Sequence, residues 1–156
     1  MKLGISSYTL TWSIGVPGYA RPERPLSAAG LIRLADQLGV SVVQIADNIP
    51  LHTLAQNELD DLLALSDSLG ISLEIGTRGT EPQHLMRYLD IAKRLNATFV
   101  RTIITTPELD TACSQLLEVI PHYEKAGITM GIENHGLHTT KQLAELFRRL
   151  NNPYVG

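Results

Sequence analysis

Short apolar runs and helix-spaced leucines alternate five times along this chain, and most of the helical stretches stop at a glycine. Leu3-Gly4-Ile5-Ser6 opens as a strand. Leu31, Leu34, Ala35 and Leu38 then fall at helical spacing within Ser27 to Leu38, with Gly39 where a left-handed residue closes a helix. Val40 to Ala46 reads as a second strand, and Leu59, Leu62, Leu63, Leu65 and Leu69 before Gly70 as a second helix. Ile71, Leu73 and Ile75 alternate against Ser72, Glu74 and Gly76, the period of a third strand. Thr80-Glu81-Pro82-Gln83 has the form of a capping box with Thr80 at the cap, and Leu85, Leu89, Ala92 and Leu95 carry the third helix.

Thr98 to Ile104 is the fourth strand, and Thr106-Pro107-Glu108 starts a fourth helix, since proline is tolerated in a first turn. Pro121 lacks the N–H that a helix interior needs, so a kink or break is expected there before Gly127. The fifth strand is Ile128-Thr129-Met130-Gly131-Ile132-Glu133, which runs into Asn134, His135 and Gly136. A fifth helix follows, capped by Thr139 or Thr140 and carrying Leu143, Leu146, Phe147 and Leu150. Asn151 to Gly156 reads as the start of a sixth strand.

Strict strand-then-helix alternation implies a parallel sheet with right-handed crossovers, either a barrel or a doubly wound sheet. The first strand-helix turn lacks the Gly-x-Gly-x-x-Gly pattern of a dinucleotide site, and polar residues recur on one strand face. Both favour the barrel. The expected fold is α/β, a partial (β/α)8 TIM barrel of about five βα units in one domain over residues 1–156. With the apolar face outward, Ser6, Tyr8, Gln44, Glu74, Arg78, Arg101, Glu133 and His135 point inward. Glu74 and Arg101, on adjacent strands with opposite charges, are predicted to pair, because either charge alone on that face would be costly. Tyr8 to Pro25 reads as a long loop, whose Tyr8, Trp12 and Tyr19 either line a pocket or anchor the loop to the body.

Composition narrows the function. A net charge of −3 leaves no electrostatic footprint for nucleic acid or a membrane surface. The N-terminus interleaves Ser, Thr and Gly among its apolar residues, unlike a signal peptide, so a cytoplasmic location is expected. Cys113 is the single cysteine, which excludes an internal disulfide, and it reads as a core thiol.

The segments Leu3-Gly4-Ile5-Ser6, Val43-Gln44-Ile45-Ala46-Asp47-Asn48 and Ile132-Glu133-Asn134-His135-Gly136 resemble the sugar phosphate isomerase/epimerase family of xylose-isomerase-like TIM barrels. The resemblance spans the chain but only the N-terminal part of the family fold, which takes roughly 250 residues. It implies that Glu133 ligates a divalent metal (Mn, Co, Mg or Zn) and serves in proton transfer. It also places His135 near a small sugar or sugar-phosphate substrate. Asn134, Tyr8, Trp12 and Arg101 join His135 as candidate substrate-binding residues. The family's other metal ligands come from strands six to eight, so tight metal binding by this chain alone is not expected. Gln44 stands where the family often has a Glu.

The implied chemistry is isomerisation or epimerisation through an enediolate, next to a carbonyl. The alternative is a non-catalytic half-barrel serving as a sugar-binding or assembly module. Either way, two open sheet edges and a missing wall predict association, with a second copy or with a C-terminal half.

Overall fold

The computed structural model describes residues 2–156. Its strands are β1 (Gly4–Ser6), β2 (Val42–Ile45), β3 (Ser72–Gly76), β4 (Phe99–Ile103) and β5 (Thr129–Glu133). All pair in parallel, in the order β1-β2-β3-β4-β5. The helices are α1 (Thr11–Ile14), α2 (Ala28–Gln37), α3 (Gln56–Leu69), α4 (Pro82–Arg94), α5 (Leu109–Ala126) and α6 (Thr140–Leu150). Successive helices from α2 to α6 pack on one another in chain order.

One face of the sheet is apolar and covered. Val43, Ile45, Leu73, Ile75, Val100 and Met130 are buried there in one cluster with Leu31, Leu62, Leu89, Leu116 and Leu146 of the helices. The other face carries Ser6, Gln44, Glu74, Arg101 and Glu133, all partly exposed. A doubly wound sheet would bury both faces under helices. Here the helices take one side only, as in a barrel wall, and the polar side is the barrel's interior.

The helix ends follow local chemistry. The Ser27 hydroxyl accepts from the Gly30 N–H at the start of α2, and Thr139 with Gln142 forms a reciprocal box at the start of α6. Gly70 and Gly127 end α3 and α5 at φ values of 65° and 67°, a region that costs other residues a Cβ clash. The tail adds to the sheet. Tyr154 and Gly156 carbonyls accept from the Met130 and Ile132 N–H groups at 2.8 and 2.7 Å, and Val155 bridges Met130 in parallel. The expected sixth strand begins there, and the five βα units with this stub match the partial barrel.

Four local expectations are corrected. The segment after β1 contains a 3-10 turn (Ser7–Leu10) and α1 before the loop proper. Thr80 does not cap α4: Glu81 holds that position with Pro82 next, while the buried Thr80 hydroxyl donates to Gln115 of α5. The fourth βα unit's helix begins at Leu109, and the Thr106 hydroxyl instead donates to the Glu108 carboxylate. Finally, of the kink or break expected at Pro121, the break does not occur, and α5 continues through it. Pro121 is exposed, so the carbonyl it fails to bond is in reach of water, while buried Leu116, Val119, Ile120 and Tyr123 hold both halves of the helix to the core.

Candidate active site at the C-terminal ends of the strands

Parallel strands with crossover helices bring all their C-terminal ends to one rim, where TIM-barrel sites are built from strand ends and the loops after them. Five polar groups meet there. Arg101, inward on β4, donates through Nη1 to the Glu133 carboxylate at the end of β5. Its Nη2 lies 3.5 Å from Asp47 Oδ1, just past β2. Arg78, just past β3, places Nε 2.9 Å from Asp47 Oδ2. The Tyr8 hydroxyl, past β1, donates to the same carboxylate at 3.0 and 3.1 Å. The Arg101 guanidinium sits 5.8 Å from the Tyr8 ring centroid, within cation–π range. Burial first, and then the Asp47 charge, hold the Tyr8 phenol above its usual range, so it stays a proton donor.

Small residues make room for this arrangement. A Cβ on Gly76 would lie 2.9 Å from the Ala46 Cα and 3.3 Å from Arg101 Nη2, so glycine on β3 lets the arginine reach back toward β2. The loop bearing Asp47 is fixed from β1: the buried Ser7 hydroxyl accepts from the Ala46 N–H at 2.9 Å and donates to Asn48. Deeper in the barrel, Ser6 donates to Gln44, and Gln44 donates to Glu74 at 3.2 Å, a ladder across residues that are level in the register.

Glu74 and Arg101 therefore do not form the predicted pair. Gly76, not Glu74, is level with Arg101 across β3 and β4, so Glu74 lies one inward step below and turns to Gln44. Asp47 is not among the site candidates read from the sequence, although its place directly after the strand read over residues 40–46 marked it as a strand-end group, because its direction is not set by strand alternation. Among the other candidates, His135 Nδ1 is 3.8 Å from Glu133 Oε1. Asn134 is exposed beside it. Trp12 is 67% exposed and set edge-on to Tyr19 at 5.1 Å.

Among the described residues, no three His, Cys, Asp or Glu side chains converge as a metal site would require. Glu133 and His135 alone do not fit a divalent ion, which needs several oxygen or nitrogen ligands, and Arg101 already occupies Glu133. Among the described residues, no helix is long and apolar enough to cross a membrane.

No protein-family model matches the sequence. The chain superposes on the D-psicose 3-epimerase crystallised in the presence of D-fructose, at TM-score 0.77 and 14% identity, covering 99% of this chain and 62% of that one. A xylose isomerase-like TIM barrel protein from Mycobacterium smegmatis, in complex with magnesium, superposes at TM-score 0.75 and 15% identity, covering 99% and 63%. The fold is that of a partial xylose isomerase-like TIM barrel. Within curated sequences, the chain is 31% identical to the 3-oxo-isoapionate decarboxylase of Pectobacterium atrosepticum, over 100% of this chain. The chain spans 57% of that relative's length, so the xylose isomerase-like barrel is represented here by its first five strands and the stub of a sixth.

Proposed function

We propose that these residues form one wall of the active site of an enzyme that forms and reprotonates an enediolate on a small sugar-derived carbonyl compound. The observation that carries this reading is the placement of Glu133 on β5 against Arg101, with the Tyr8–Asp47 pair beyond it on β1 and β2. A carboxylate at a strand end can take the proton from the carbon next to a carbonyl. The electron pair then moves onto the carbonyl oxygen, where a guanidinium can donate to the developing oxyanion. Return of the proton to the same carbon from the other face gives an epimer, and return to the neighbouring carbon gives an isomer. Loss of carbon dioxide from a 3-oxo acid reaches the same kind of enolate, which relates the epimerase-like fold to the decarboxylase relative.

A divalent ion bound next to the substrate would polarise its oxygens, but its further ligands would have to come from outside these five strands. The opposite wall of the site belongs to strands that continue the sheet beyond β5, supplied by the same polypeptide, a separate chain or a second copy. The reading of a non-catalytic half-barrel draws on the 57% span of the relative. The test is exchange of solvent deuterium into the carbon next to the carbonyl of ketoses and 3-oxo sugar acids, followed by NMR. Exchange that Glu133→Gln abolishes supports the enzyme reading. Exchange unchanged by Glu133→Gln, or none with any substrate in the longest natural form of the protein, overturns it.

A further inference from the structure

A cavity of about 350 Å³ opens between the ends of β3, β4 and β5, beside the Arg101–Glu133 pair. Its polar side chains are Arg78, Thr105 and His135, set among Ile103, Ile104 and Leu137. No aspartate or glutamate is among its lining residues, although Asp47 and Glu133 stand just outside it. Each of those three side chains can donate a hydrogen bond, and one is permanently cationic. A pocket with donors, a guanidinium and no carboxylate is matched to an oxyanion.

The state of Arg78 adds to this. Its side chain is 52% exposed, and the one acceptor it meets among the described residues is Asp47, through Nε. Among the described residues, none engages its terminal nitrogens, the fork that binds carboxylates and phosphates in pairs. Asp47 is also shared with Arg101, whose Nη1 is taken by Glu133, so two carboxylates balance the two guanidinium groups, and it is the terminal fork of Arg78 that is left for a ligand at the cavity. Leu137, 54% exposed at the cavity wall, lies in the Asn134–His138 turn after β5, within reach of whatever the cavity holds.

We propose that this cavity binds an anionic group of the substrate, a carboxylate or a phosphate, with Arg78 as its principal partner and Thr105 and His135 as further donors. The substrate would thus be a sugar acid or a sugar phosphate and not a neutral sugar, with its reacting carbon reaching toward Glu133. The naming of the substrate rests on the enediolate reading, but binding of the anion needs no turnover.

The experiment titrates inorganic phosphate and, separately, malonate into the 15N-labelled protein at constant ionic strength. Saturable shifts of the Thr105, Gly136 and Leu137 amides are expected, weakened about tenfold by Arg78→Gln, as loss of one charge-assisted bond implies. Tighter phosphate binding identifies a phosphorylated substrate, and tighter malonate binding a sugar acid. The absence of saturable shifts at those amides for both probes overturns the proposal. So does binding that Arg78→Gln leaves unchanged. Should Arg78→Gln not fold, the amide map on the unsubstituted protein decides alone. Anion binding without deuterium exchange would retire the enzyme reading and leave the subsite standing, and exchange without anion binding would do the reverse.

Discussion

Arg101 and Glu133 are joined across adjacent strands although they are not level: Arg101 is opposite Gly131, and Glu133 lies one inward step nearer the rim. The guanidinium reaches up the barrel to meet the carboxylate. It is thereby placed to touch Asp47 as well, so that one side chain of β4 ties the ends of β2 and β5.

That tie is only partly exposed, with side chains 16% and 31% accessible, so it should be worth more than a surface ion pair. Truncation of Arg101 to Met is expected to cost about 1–3 kcal/mol, since it leaves Glu133 without its donor. A double-mutant cycle with Glu133→Gln, read by urea unfolding, should show a coupling of about 1 kcal/mol or more. Strict additivity would mean that the contact contributes nothing to stability.

Gly131 faces the Phe99 ring across β4 and β5. A Cβ at that position would fall 2.9 Å from Phe99 Cε2 and closer still to Cζ. Gly131→Val should therefore destabilise by about 1–3 kcal/mol through overpacking. Pairing it with Phe99→Leu should recover part of the loss. A single variant as stable as the parent would show that the ring moves aside freely.

Acidification should weaken the fold through His84. Its imidazole Nε2 meets the Thr77 hydroxyl at 2.7 Å, and its ring lies 5.3 Å from that of His52. Burial, and then the neighbouring His52, hold its pKa below the usual histidine value. The folded state thus favours the neutral ring: the stabilisation is complete above about pH 6.5 and is lost as the pH falls toward the lowered value. Urea midpoints should drop between pH 7.5 and 5, and His84→Gln should flatten the drop. An unchanged pH profile in that variant would assign the effect elsewhere.

Tyr123 of α5 donates its buried hydroxyl to the Leu85 carbonyl of α4 at 2.8 Å. Burial raises its pKa far above the usual range, so the bond persists at every pH the fold survives. Tyr123→Phe should cost about 1–2 kcal/mol, read as a lower urea midpoint with an unchanged slope. No change would place the α4–α5 contact in the apolar packing alone.

The alternation of apolar strands with leucine-spaced helices by itself determined the order of elements, the parallel sheet and the outward apolar face, because each is a local consequence of period and burial. It also determined which side chains look inward: Ser6, Gln44, Glu74, Arg101 and Glu133 all take the expected face. The helix stops at Gly70 and Gly127 were legible for the same reason. Which inward groups meet was decided only in three dimensions. Period-two alternation tells the face of a residue but not its height against the neighbouring strand. A stagger of one inward step was enough to give Arg101 to Glu133 and Asp47, and Glu74 to Gln44. Asp47 itself lay beyond the last strand residue, where alternation ends and only the loop held by Ser7 and Asn48 sets its direction. Pro121 stayed within α5 for a tertiary reason too, since the packed face of the helix outweighed one missing hydrogen bond on its wet side.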